Sequence, residues 1–427
     1  MRIGIVGGGM AGLVTAWLID GTHEAVVFEA RERIGGNARS VSVHLGGEPV
    51  WFDLGTQEIS EEEYPLNSRL MRFHGFRKRD LVEVPGSRTV LREDGEDPLL
   101  VGPHGPNAGW TRSEVLGEHW ERLAAFLRHA WRWDEEELDW EIPLVDMMDS
   151  LEVPEGEPRD LLCALPAALF GCDLREAGRL SARAATAPFL GGDDRERAPA
   201  TENLRGGLES LAWALATDLR LAEIRPGTGI IGVRARGSGY ELVDTAGEVT
   251  EVDAVVLAVP PPVAAGIVAA LDDSSELRRT LGAFPYREVS YALHRDPSYM
   301  PEKLEHWSTN NVTIGQGWSE STTWYGAVHG MDVFKSQVTR RTVRPRRVLA
   351  RETFEQLIPT PEVFRAQARL SEFQGCGGLY FAGHYTAGID SQETTVESAS
   401  RVARMLAPRS PRVTALLDTE EEPADVR

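Results

Sequence analysis

Arg2-Ile3-Gly4-Ile5-Val6-Gly7-Gly8-Gly9-Met10-Ala11-Gly12 opens the chain and decides its fold. Ile3, Ile5 and Val6 read as a β-rich apolar strand, and Met10, Ala11, Leu13, Val14, Trp17 and Leu18 supply the buried face of a helix that follows at once. In Gly7-x-Gly9-x-x-Gly12 the first glycine permits a tight turn, and the second lets a pyrophosphate approach the backbone. The third lets helix and strand pack closely, with phosphate at the helix N-terminus. Glu29 ends the next apolar run, Ala25-Val26-Val27-Phe28, where a carboxylate accepts hydrogen bonds from ribose hydroxyls. A lone glycine pattern is weak, but strand, helix and distant acid together predict an α/β unit holding the ADP half of a dinucleotide. Gly7, Gly9, Met10, Ala11, Gly12, Glu29, Ala30 and Arg31 are the expected contacts.

A second signature follows directly, Arg31-Glu32-Arg33-Ile34-Gly35-Gly36-Asn37-Ala38-Arg39-Ser40. A glycine pair between arginines suits a loop that wraps phosphate with backbone amides and guanidinium groups. Further along come Trp51-Phe52-Asp53-Leu54-Gly55-Thr56, Arg205-Gly206-Gly207-Leu208-Glu209-Ser210-Leu211, the strand-like Ile230-Ile231 and Val233, and Gly378-Leu379-Tyr380-Phe381-Ala382-Gly383 with a helix from about Val396 to Leu406.

In this order the segments resemble those of the flavin-containing amine oxidase superfamily, which includes phytoene desaturases and protoporphyrinogen oxidases. The resemblance implies FAD, bound by a Rossmann-like α/β domain with a discontinuous α+β substrate domain. It assigns Gly35, Gly36, Asn37, Ala38 and Arg39 to the phosphates, with Asn37 standing where an arginine is usual, so that Arg39 or Arg33 supplies the charge. Gly55 and Thr56 pass near the flavin ring, Ile230 meets the adenine, and Gly383, His384, Thr395 and Val396 close the site. His384 replaces the usual acid. A narrower likeness, in Leu293-His294-Arg295-Asp296, Met300-Pro301 and Trp307-Ser308, is to a bacterial branch of predicted FAD-binding proteins.

The expected division is FAD-binding segments at 1–60, 204–269 and 372–407, a helical substrate segment at 61–203, a strand-rich one at 270–371, and a disordered acidic tail at 408–427. Tyr291, Trp307, Trp324, Tyr325 and Tyr385 are candidates for an aromatic wall that excludes water and stabilises a cationic amine. Each reads more readily as ordinary core, and only Tyr385 gains from its place beside the closing motif. Gln57, His384, Tyr385 and Glu393 are candidate pocket residues, with no catalytic role assigned. Lys303 sits in a polar turn and reads as surface.

The 427 residues carry 45 basic and 66 acidic side chains, a net charge of −21 that argues against nucleic acid and anionic membrane surfaces. Three cysteines, Cys163, Cys172 and Cys376, have neither zinc nor disulfide-framework spacing, so no metal is expected. A strand starting at Arg2 leaves no room for a signal peptide, and no apolar run is membrane-spanning, so the cytoplasm is the expected compartment. The expected activity is FAD-dependent hydride removal from a small-molecule substrate, most simply amine-oxidase-like, with dioxygen or another acceptor; a homodimer is left open. Three alternatives stand. One is a carbon–carbon desaturase of a lipid or secondary metabolite, one a flavin-binding protein without turnover, and one an NAD-dependent dehydrogenase, which would not need the second glycine pair.

Overall fold

The computed structural model describes residues 1–44, 46–95, 97–102, 114–190 and 201–418. It divides into two compact units, the first built from Met1–Leu81, Leu204–Phe284 and Arg365–Arg427, the second from Val82–Asn203 and Pro285–Phe364.

The first unit is organised by a parallel five-stranded sheet in the order Leu379–Phe381, Ala254–Leu257, Arg2–Val6, Glu24–Phe28, Glu223–Arg225. The central strand pairs Ile3 with Ala254 on one side and Ala25 on the other. Burial on both faces explains why these strands read as continuous Val/Ile/Leu runs rather than alternating ones. On one face the helices Met10–Ile19, Glu209–Thr217 and Gln392–Leu406 share a core with Ile3, Ile5 and Val256. The other face carries a three-stranded antiparallel sheet, Ile230–Arg236, Gly239–Asp244 and Val249–Val252. It lies so near that a Cβ on Gly4 would come within 2.4 Å of Leu242 Cδ1.

The second unit holds a seven-stranded sheet in the order Val348–Leu357, Tyr286–His294, Phe334–Gln337, Ser319–Trp324, Asn310–Ile314, Arg88–Arg92, Leu100–Val101. All pairs are antiparallel except Asn310–Ile314 with Arg88–Arg92. Val90, Val312 and Ile314 point into a core with the helices Glu114–Glu135, Leu144–Ser150, Glu157–Phe170 and Ala182–Thr186. Among the described residues, no helix is long and apolar enough to cross a membrane.

Past the strand Ser319–Trp324, Gly326–His329 forms a short helical turn closed by Gly330 in the left-handed region. Two local expectations are corrected. The last long helix starts at Gln392, four residues early, because Ser391 Oγ caps it by accepting the Thr394 N–H at 3.0 Å. The tail expected to be disordered from Pro408 instead forms a helix, Pro411–Leu417. Val413 and Leu416 are buried in the first core, and Ser410 Oγ donates to the Leu18 carbonyl at 2.6 Å. Arg412 bonds the Trp17 carbonyl and lies 3.1 Å from Asp218. The acidic run at 419–422 lies outside the described residues. Because Leu416 is fully buried, Leu416→Ala should destabilise the protein by about 2–4 kcal/mol in urea unfolding. A truly frayed tail would show no change.

Candidate functional site: a dinucleotide cradle

Backbone approach builds the site. Gly7 sits at φ +112°, and its Cβ would meet the Ala258 carbonyl oxygen at 2.3 Å; a Cβ on Gly12 would lie 1.9 Å from the Gly7 oxygen. Any side chain at either position would force strand and helix apart. The helix they launch, Met10–Ile19, has no side-chain cap at Gly9 and no acid in its first turn. Its unsatisfied N–H groups and positive dipole end therefore remain available to an anion.

The second glycine segment is laid against the first. Gly35 donates its N–H to the Gly8 carbonyl at 2.8 Å, and a Cβ on Gly36 would come to 3.1 Å from Gly9 Cα. Leu54 N–H bonds the Arg39 carbonyl at 2.8 Å and Thr56 N–H the Asn37 carbonyl at 3.0 Å, which runs Gly55 and Thr56 alongside Asn37 and Ala38. Glu29 accepts one backbone N–H on each oxygen, Gly8 at 2.8 Å and Arg31 at 2.9 Å. Each oxygen can still accept another bond. Thr228 N–H bonds the Glu29 carbonyl at 2.8 Å, and Gly229 packs within contact distance of Ala30, so the chain entering Ile230 runs beside the acid. Strand pairing brings Gly383 to the same end of the sheet: Ala382 N–H bonds the Leu257 carbonyl, and Gly383 N–H donates to Ser398 Oγ at 3.0 Å.

The arginines are not free charges. Arg33 Nη2 lies 2.6 Å from Glu209 Oε2, and the buried Arg39 Nη1 donates to Glu209 Oε1 at 3.1 Å. The same carboxylate accepts the Ser40 N–H at 2.8 Å, while Glu209 N–H returns a bond to Ser40 Oγ at 3.0 Å. Ser40 Oγ and the Leu208 N–H both donate to Asp53 Oδ1, at 2.5 and 2.9 Å. Glu209 and Asp53 thus tie three sequence segments into one wall. Both stood inside recognised motifs, but nothing local in the sequence marked them as anchors.

The four candidate pocket residues diverge. His384 Nδ1 lies 3.3 Å from Asp390 Oδ1, a carboxylate partner that sequence reading missed. Gln57 is buried and its amide bonds Glu58 at 3.2 Å. Tyr385 is corrected from a pocket wall to a pillar: fully buried, it donates to the Leu257 carbonyl at 3.2 Å and meets Phe284 edge-on. Burial raises its phenol pKa further from neutrality. Glu393 is corrected likewise. Its oxygens accept the Leu66 and Asn67 N–H groups, both at 2.9 Å, and so cap the helix Pro65–Phe73. Thr395 bonds back to Ser391, and Val396 is wholly buried core.

In the second unit Trp307 meets Trp324 and Phe334 edge-on at 5.3 and 5.7 Å, each indole N–H being bonded within the unit. These rings form a packed cluster. Tyr325 is buried and stacks on His329. Lys303 is exposed and faces Asp97 at 3.3 Å. The lysine that sequence reading passed over is Lys335, which is buried with Nζ 5.0 Å above the Tyr291 ring; Gln337 donates to the Tyr291 hydroxyl at 3.2 Å. Its strand is covered on both faces, so no alternation singled it out. His294 is buried with Nδ1 accepting the Asp296 N–H, which leaves the proton on Nε2 to donate to Ser336 Oγ at 2.8 Å.

The family model for flavin-containing amine oxidoreductases matches residues 10–334, about three quarters of the chain. The chain belongs to that family. Its fold is shared with solved structures of low sequence identity. A candidate protoporphyrinogen oxidase from Exiguobacterium sp. 255-15 has a TM-score of 0.63 at 18% identity, covering 95% of this chain and 98% of that one. A fatty acid isomerase from P. acnes that produces CLA has 0.68 at 14%, with 94% and 98% covered. Putrescine oxidase bound to putrescine has 0.66 at 15%, with 96% and 100% covered. Compared with curated proteins, the sequence has no match.

The cradle fits the flavin cofactor of this amine oxidoreductase family. An uncapped helix end suits a pyrophosphate, and Glu29 keeps acceptor capacity for hydroxyl groups. Two glycine loops in backbone contact leave no side chain between them.

Two predictions follow from the charges. Glu209→Ala strands buried Arg39 and the Ser40 N–H, and should cost about 3–5 kcal/mol in chemical unfolding; Glu209→Gln should recover part of that. A loss below about 1 kcal/mol would show the network to be dispensable. Burial of His294 lowers its pKa from 6.5 to about 4. Between those values the unfolded chain binds a proton that the fold refuses, so stability falls as pH drops from 6.5 to 4, by about 3 kcal/mol in total. His294→Gln should flatten that part of the pH dependence, and an unchanged slope would assign it to other groups.

Proposed function

We propose that this flavin-dependent oxidoreductase uses FAD held on the first unit to oxidise a small amine by hydride removal. The observation that carries the reading is the contact of Gly36 with Gly9 beside an uncapped helix and Glu29. FAD, when bound, supplies the electron acceptor for a hydride.

The chain's residues supply the rest. The helix end at Met10 and the backbone of Gly35 and Gly36 bind the pyrophosphate, and Glu29 orients the ribose of the adenosine half. Glu209 fixes Arg33 and Arg39 so that the second loop is rigid before the cofactor arrives. His384, beside Asp390, hydrogen-bonds the ribityl chain. On this reading segments 1–60, 204–269 and 372–407 serve the cofactor, and segments 61–203 and 270–371 the substrate. The likeness to putrescine oxidase supports an amine substrate, and the family match supports oxidation by flavin.

The purified protein should be yellow, with bands near ~450 nm, and release FAD into the supernatant on acid precipitation. Glu29→Ala should retain the fold and weaken FAD binding about tenfold or more. Anaerobic titration with short mono- and diamines should bleach the bands. Bleaching only by unsaturated fatty acids would move the assignment to carbon–carbon chemistry, and colourless protein that FAD cannot reconstitute would end the flavin reading.

A further inference from the structure

A cavity of about 420 Å³ is lined by residues of the second unit. Its size suits a small organic ligand. Leu91, Met300 and Val343 give it an apolar wall, and Ser298 and Thr313 contribute hydroxyl groups.

Arg341 lines it and is 4% exposed. The guanidinium is held on three sides. Nε donates to the Gln337 carbonyl at 3.2 Å and lies 3.4 Å from Glu320 Oε2. Nη2 donates to the Glu320 carbonyl at 3.2 Å, and to Thr313 Oγ1 and Thr322 Oγ1 at 3.3 and 3.4 Å. The Tyr299 ring lies 4.1 Å from the guanidinium carbon, with Tyr299 itself tied by its hydroxyl to the Val343 carbonyl. Nη1 has no acceptor among the described residues.

Such an arrangement is a prepared anion seat. A guanidinium keeps its charge in any protein, and Nη1, at the cavity wall, keeps its donor capacity for a carboxylate oxygen. The internal partner does not cancel the charge cleanly, since burial raises the Glu320 pKa and one of its oxygens has no hydrogen-bond donor. Around the opening Arg92 is engaged by Glu157 and Asp97 by Lys303, and the exposed Glu93 and Glu302 turn away phosphates and other polyanions and favour a cationic group there.

We propose that this cavity binds a small zwitterionic carboxylate, an ω-amino acid or its like, with the carboxylate on Arg341 Nη1 and the ammonium group at Glu93 and Glu302. Its hydrocarbon lies along Leu91, Met300 and Val343.

Calorimetric titration of the full-length, flavin-loaded protein with 5-aminopentanoate tests this, with pentanoate and pentylamine as half-probes. Binding of 5-aminopentanoate should be at least about tenfold tighter than that of either half-probe. Val343→Trp fills the cavity from an exposed position and should abolish binding. Arg341→Lys, which keeps charge but loses the fork, should weaken it about tenfold. No binding up to about 10 mM, or binding that Val343→Trp leaves intact, overturns the proposal. If Arg341→Lys fails to fold, Val343→Trp alone decides.

Discussion

The structure turns on how closely two stretches of bare backbone approach. Gly12 lies against the Gly7 carbonyl at a distance that no Cβ could share, and Gly36, at a left-handed φ of +60°, lies so near Gly9 that a Cβ would be crowded. From the first contact follows the angle at which the opening helix leaves the central strand, and from the second the position of the loop that continues past Glu29. Later parts of the first unit join that pair: Gly55 and Thr56 run along Asn37, and the strand ending at Phe381 brings Gly383 to the same end of the sheet. Close contact replaces side-chain chemistry where a dinucleotide's phosphates need room.

Charge is arranged with similar economy. Arg33 and Arg39 look in the sequence like phosphate ligands, yet both are held by Glu209. One carboxylate thus holds two guanidinium groups, fixed in place rather than mobile. Rigid placement costs stability in a dry interior unless every polar atom is met, and Ser40 and Asp53 meet them here. The helix dipole at Met10 then supplies an attraction that needs no side chain.

The two glycine loops were largely legible in the sequence because their determinants are local: a glycine's place in a turn is fixed by neighbours a few residues away. Tyr385 and Glu393 were not, because each takes its role from partners 128 and 327 residues distant. The helix at Pro411–Leu417 was hidden by two prolines and a following acidic run, though Val413 and Leu416 carry the spacing of a short buried face. Lys335 and Arg341 were invisible for another reason. Burial of a cation depends on what several strands place around it, and no pattern within one strand records that.

The order of strands in the parallel sheet sets a timetable for synthesis. Its edge strand, Leu379–Phe381, and the helix that seals its core near Leu416 leave the ribosome last, whereas its central strand leaves first. The second unit's segments are complete once Phe364 has emerged. The nascent chain must therefore carry the Ala254–Leu257 strand with its outer edge unpaired until Leu379–Phe381 emerges, after the second unit's last segment is made. Chaperone demand during translation should fall on that open edge and end only as the last helix emerges.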